Sequence, residues 1–153
     1  MVMDTNTLIQ LKDLGPASVL GLSALGSGWG AGVAGMAAIG AWKKGFMQNK
    51  AAGFTMLAFV GAPLTQTVYG MIVMNKLLEL QAKGIILEGA WLCGLGIGVS
   101  AIFQGMAGAS AADALGETGK GFGNYIIVLG VIETVALFVL AFTLGALGKL
   151  GGG

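Results

Sequence analysis

Glu133 is the residue that asks most of its surroundings. It lies in NYIIVLGVIETVALFVLAF, a stretch with no other charged side chain. At about 1.5 Å per residue, a helix over 122–148 holds it near its middle. An acid at that depth in lipid costs at least ~2.5 kcal/mol, and intramembrane acids mark ion or proton paths. The plain alternative is a carboxyl kept protonated, or bonded to a neighbouring helix, for structural reasons. Thr65, Gln66 and Tyr69 each bring an oxygen from another apolar stretch, and Thr65 and Tyr69 share one helical face. Pro63 has no backbone donor, so it frees the carbonyl of Phe59 and leaves that of Ala62 more able to turn inward. Gln104 supplies a second amide from a third stretch. Hard cations prefer such oxygens, and one negative charge balances a monovalent ion. A proton carrier needs only a carboxyl, one acceptor and an apolar wall. The surplus of neutral oxygens therefore favours Na⁺ over H⁺ as the bound ion. Taken singly, each polar residue is also explained as interhelical glue worth about 1 kcal/mol.

The elements that carry these residues are membrane spans. The 153 residues are 56% hydrophobic and 10% charged, with no His or Arg. A soluble domain carries about a quarter charged residues, and the mean hydropathy of +0.86 points to lipid as the solvent. Mainly apolar stretches run over roughly 16–42, 54–78, 89–115 and 122–148. Each reaches the ~20 residues that cross a bilayer as a helix. Backbone groups in hydrocarbon must bond internally, so the fold class is an all-α membrane protein. Its organisation is a lead-in over 1–15 and two tandem helical hairpins over 16–80 and 86–149. Pro16 suits the first turn of the first span. Lys76 and Asp113 fall near span ends and reach the interface. Asp4, Lys12 and Asp13 interrupt any secretory signal. Lys43, Lys44 and Lys50, with no acid between them, put the 43–53 loop in the cytoplasm and both termini outside. Cys93 is single and there is no His, so zinc-type sites are excluded. A net charge of +1 implies no nucleic-acid partner.

The halves repeat. Gly35-Met36-Ala37 matches Gly105-Met106-Ala107, and Gln66-Thr67-Val68 matches Glu133-Thr134-Val135. The carboxylate of the second hairpin is thus an amide in the first. Gly26, Gly28, Gly30, Gly32 and Gly35 crowd the first span, and Gly94, Gly96, Gly98, Gly105 and Gly108 the third. Gly30-x-Gly32-x-x-Gly35 fits the dinucleotide fingerprint only literally, because no strand precedes it. Small residues on membrane helices instead let backbones approach. Their density suits helices crowded on two sides, as in the inner wall of a narrow ring.

Together these pieces resemble the duplicated proteolipid of the V-type ATPase rotor ring, the four-helix c or K subunit. The resemblance covers about residues 17–148. It rests on the two glycine-rich spans, Pro-Leu-Thr-Gln-x-x-Tyr-Gly at 63–70, Gln-Gly at 104–105 and Val-Ile-Glu-Thr at 131–134. In the sodium-translocating bacterial type, it implies an ion held by Glu133, Gln66, Gln104, Thr65 and the carbonyl of Ala62, with Tyr69 steadying the carboxylate. It further implies a homo-oligomeric ring in a bacterial cell membrane. A stator subunit with a basic residue faces that ring, and a central-stalk subunit meets the cytoplasmic loops. A separate soluble sector hydrolyses ATP, so the chain itself is no hydrolase. One ion per duplicated subunit suits a pump rather than a synthase. The alternatives are the same rotor carrying H⁺, a small four-helix secondary transporter, and a structural pore in which Glu133 is dispensable.

Overall fold

The computed structural model describes residues 5–51 and 53–152, with side chains described from Leu14 onward. Four of its helical segments are long and apolar enough to cross a membrane: Leu14–Met47, Phe54–Ala82, Glu88–Thr118 and Phe122–Leu150. Among the described residues there is no strand. The first segment belongs to α1, Thr5–Met47. The second combines a 3₁₀ turn at Phe54–Met56, α2 at Leu57–Gly61, a second 3₁₀ turn at Ala62–Leu64, and α3 at Thr65–Ala82. The third is a 3₁₀ turn at Glu88–Ala90 running into α4, Trp91–Thr118, and the fourth is α5, Phe122–Leu150.

The helices run past the expected spans: α1 continues to Met47, so Lys43 and Lys44 are helical and not in a loop, while α3 reaches Ala82 and α4 Thr118. Pro16 does not open the first helix; it lies inside α1, which is continuous from Thr5. A proline removes one ladder bond and crowds the preceding turn. Long helical runs on either side absorb that single loss, and the Ser18 hydroxyl donates to the Gly15 carbonyl at 2.7 Å. Residues 1–4 of the expected lead-in lie outside the described residues.

α1 and α4 form an inner, parallel pair with the most extensive contact in the molecule. Their register follows the glycines. A methyl built on Gly94 would meet Val19, one on Gly26 would meet Gly98, one on Gly105 would meet Gly30, and one on Gly116 would meet Ala41. Missing side chains on both helices thus bring the two backbones together. Gly35 and Gly96 are in ordinary contact with Val60 and Val139, whereas Gly28 and Gly32 have nothing within 4 Å. The glycines therefore divide between a seam inside the chain and an open outer face. At the loop end, Lys44 and Glu117 tie α1 to α4 through a 2.6 Å ion pair, about half exposed on each side.

α3 packs on α1, α5 packs on α4, and α3 and α5 meet each other. The apolar core divides into two clusters. One contains Val19, Val73, Leu77, Leu80, Ile97, Ala136 and Leu147. The other contains Ala38, Ala41, Met56, Phe59, Ala111, Ala112 and Leu129. Between them runs a polar layer in which Gln66 and Gln104 are completely buried. α5 contributes little to either cluster; its buried residues are Leu129, Ala136 and Leu147.

Candidate ion-binding site

Pro63 shapes the wall of the polar layer. It is buried within the 3₁₀ turn that separates α2 from α3. With no hydrogen on its nitrogen, it leaves the Phe59 carbonyl without its helical partner. That oxygen lies against Gly108, where a methyl would stand 2.9 Å from it. The tightened turn also presents the Ala62 carbonyl to the Thr65 hydroxyl at 3.0 Å.

The six residues singled out from sequence form one connected cluster. Glu133 Oε1 accepts hydrogen bonds from the Thr65 hydroxyl at 2.7 Å and from the Tyr69 hydroxyl at 2.7 Å. Gln104 Nε2 donates to Glu133 Oε2 at 3.3 Å and to the Leu129 carbonyl at 3.0 Å. Gln66 Nε2 donates to Gln104 Oε1 at 2.8 Å, and Gln66 Oε1 lies 3.1 Å from Thr65 Oγ1.

These contacts orient one another. A carbonyl accepts only, so the Leu129 oxygen requires the nitrogen of Gln104. The oxygen of Gln104 then points to Gln66 and requires a nitrogen there. Gln66 is left facing Thr65 with its oxygen. The Leu129 carbonyl thus sets, through two amides, which atom Gln66 presents beside the carboxylate. In this arrangement Gln104 meets Glu133 as a donor, whereas the sequence reading counted its oxygen among the ligands.

The hydrogens do not cover the oxygens. Thr65 has one hydroxyl hydrogen, yet Glu133 Oε1, Gln66 Oε1 and the Ala62 carbonyl all lie within 3.1 Å of its oxygen. Whichever one it serves, two oxygens remain crowded against a third without a proton between them. A small cation, or a proton carried on the carboxyl, is what such a cluster is short of.

Two members were not evident from sequence. Ser100 donates to the Ile132 carbonyl at 3.0 Å, holding α4 to α5 one residue before Glu133. Its spacing of one helical turn from Gln104 is the signal that would have found it. The Leu129 carbonyl carries no side-chain signature at all. Because Tyr69 supplies one of the two hydroxyl donors to Glu133, Tyr69→Phe is expected to expose the carboxyl to reagents. Modification by a hydrophobic carbodiimide should accelerate by roughly tenfold or more, as loss of a hydrogen bond to a charged acceptor implies.

Comparison with known proteins bears first on the helices that carry Glu133. The family model for the C-subunit of ATP synthase matches residues 88–144, which hold Gln104 and Glu133. The matched residues take in most of the second hairpin. Both hairpins enter a longer match: over 133 residues the chain is 31% identical to the A-type ATP synthase subunit K of Methanocaldococcus jannaschii. That match takes in 85% of this chain and 58% of the relative, so the chain spans less than two thirds of the relative's length. The match to the C-subunit model and four apolar helices make this an integral, multi-pass membrane protein. Within the matched residues, the carboxylate stands on α5 and its amide partner on α4.

Proposed function

We propose that the chain is a rotor-ring subunit, of the c or K type, in a V- or A-type rotary ATPase, and that it carries Na⁺ on Glu133. The observation that carries the ion reading is the oxygen cluster at Thr65, three acceptors sharing one hydrogen. A bound Na⁺ relieves that crowding and neutralises the carboxylate. Glu133, Thr65, Gln66 and the Ala62 carbonyl hold the ion. Gln104 and Tyr69 orient the carboxylate. The rotor reading is supported by the match of residues 88–144 to the C-subunit model and by the likeness to a subunit K.

The mechanism follows from the cost of a bare charge in lipid. Copies of the chain form a ring with α1 and α4 inside and the carboxylates toward the periphery. While Glu133 faces lipid it stays neutral, because an uncompensated carboxylate there is too costly. Opposite a stator subunit, a basic residue draws the carboxylate away from Thr65 and Tyr69, and the ion leaves through an aqueous half-channel. Rotation driven by a separate ATP-hydrolysing sector gives the exchange its direction, and this chain catalyses no hydrolysis. The helix ends and turns over 43–53 and 116–121 face the central stalk from the cytoplasm, with both termini outside. Gln66 in place of a second acid leaves one ion per four-helix subunit, which raises the free energy available per ion and suits pumping. A bacterial cell membrane is the expected setting.

Labelling Glu133 with a hydrophobic carbodiimide, across pH and with or without sodium, tests the reading. Sodium should protect Glu133 where potassium does not. Labelling that follows pH alone, indifferent to sodium, replaces Na⁺ by H⁺ on the same rotor. Absence of labelling under every condition removes the ion site.

A further inference from the structure

Ser27 is 1% exposed, and among the described residues its hydroxyl is the buried side-chain polar atom that has no hydrogen-bond partner. Such atoms are rare, and each calls for an explanation. The neighbouring serine of α1 is satisfied: Ser23 donates to the Val19 carbonyl at 2.9 Å.

The packing register places Ser27 level with Gln66, whose amide belongs to the ion site. A methyl on Gly70 would stand 2.5 Å from the Ser23 hydroxyl, and one on Gly30 would stand 3.1 Å from Pro63. Positions 23, 27 and 30 of α1 form one helical stripe, as do 63, 66 and 70 of the second span facing it. The two stripes run antiparallel, so Ser27 falls between its neighbours at the level of Gln66. Gln66 is itself 0% exposed. Its Nε2 bears two hydrogens, one of which goes to Gln104 Oε1. A hydroxyl with no partner and an amide with a hydrogen to spare therefore share one buried level of the α1–α3 interface.

We infer that Ser27 binds a single buried water that accepts the second amide hydrogen of Gln66, making Ser27 a positioning residue for the ion site. A buried water with two or more polar partners is an ordinary constituent of protein interiors. Here it gives Gln66 Nε2 acceptors for both hydrogens on the side away from Glu133. The amide is then locked from α1 as well as from α4, with its oxygen held toward Thr65. This is a hydration site on the inner helix, outside the ligand set. Its effect on the ion rests on the sodium reading, while the water itself does not.

The test compares the wild-type chain in its native oligomer with Ser27→Ala, a substitution that adds no volume. Two measurements are made: protection of Glu133 from carbodiimide by sodium alone, and the thermal midpoint of the purified oligomer. Ser27→Ala should need about tenfold more sodium for half-protection, the loss of roughly one hydrogen bond. Its labelling without sodium should be unchanged, because the carboxylate keeps Thr65, Tyr69 and Gln104. Ser27→Cys, which restores a weak donor, should recover part of the difference. Equal sodium protection in wild type and Ser27→Ala overturns the positioning role. If sodium protects neither protein, the sodium reading fails on the wild type, and the midpoint decides the water. A hydroxyl bonded to water makes Ser27→Ala less stable. A hydroxyl with nothing to bond makes Ser27→Ala equal or more stable, and that result overturns the hydration site.

Discussion

Glu133→Gln is expected to abolish ion exchange while leaving the protein assembled. The amide oxygen keeps the shape of Glu133 Oε1 and still accepts from Thr65 and Tyr69, which lie 2.7 Å from that atom. What disappears is the negative charge, the one feature of the site that neutral oxygens cannot replace. In vesicles that hold the whole rotary complex, ATP-driven sodium transport should fall to background, and carbodiimide incorporation with it. Helix content and oligomer size should match the wild type. Glu133→Asp separates charge from geometry. Its carboxylate is one methylene shorter, so it keeps the charge but withdraws from both hydroxyls and should exchange ions poorly. Wild-type transport by Glu133→Gln would reduce the carboxylate to interhelical glue.

The second large effect is structural. Gly105→Ala should cost at least about 3 kcal/mol, at the upper end of what overpacking imposes, because the added methyl would overlap the backbone of Gly30. No flexible side chain is available there to move aside. Gly30→Ala should behave alike, since its methyl would run into the Ala101 carbonyl. Gly28→Ala and Gly32→Ala are the controls, with nothing within 4 Å of either added carbon. Within one chain they should be neutral or mildly stabilising, because alanine favours helix over glycine by about 0.8–1 kcal/mol. Thermal unfolding of the four variants should separate them into these two pairs. If Gly28→Ala and Gly32→Ala instead disrupt only the assembled oligomer, the open face of α1 is an interface between copies.

Much of the architecture was legible because lipid leaves a chain so few choices. Long apolar runs must be helices, and the charges that interrupt them mark where the spans end. The convergence of Glu133, Thr65, Gln66, Tyr69 and Gln104 was also readable, since each is a polar residue without solvent in an apolar run. Pro16 was misread for a definite reason. Proline at a helix start and proline in a helix interior leave the same local signal, and only the residues beyond them decide. The atom that each amide presents was not legible either. It depends on the Leu129 carbonyl, a backbone group that every residue type possesses. The glycine pattern likewise declared close packing without saying which glycines face the seam. Gly26 and Gly28 are two residues apart, yet one meets Gly98 and the other meets nothing within 4 Å.

The shallow burial of α5 has a consequence for how the site opens. Protein segments with few buried contacts separate from the rest at a fraction of the global unfolding free energy. The carboxylate rides on the span whose most apolar stretch is least buried within the single chain, 11% against 44% for the span that includes α4. On the proposed function, opening would draw on the low-stability end of the molecule's fluctuations, and closing on the recovery of three hydrogen bonds at Glu133. The glycine seam takes no part in either. Amide hydrogen exchange should accordingly report two tiers, with α5 around Glu133 exchanging well before α1 and α4. In the proposed rotor, a single chain would then combine a stiff axle with a loose latch, and the latch would set how long the ion stays.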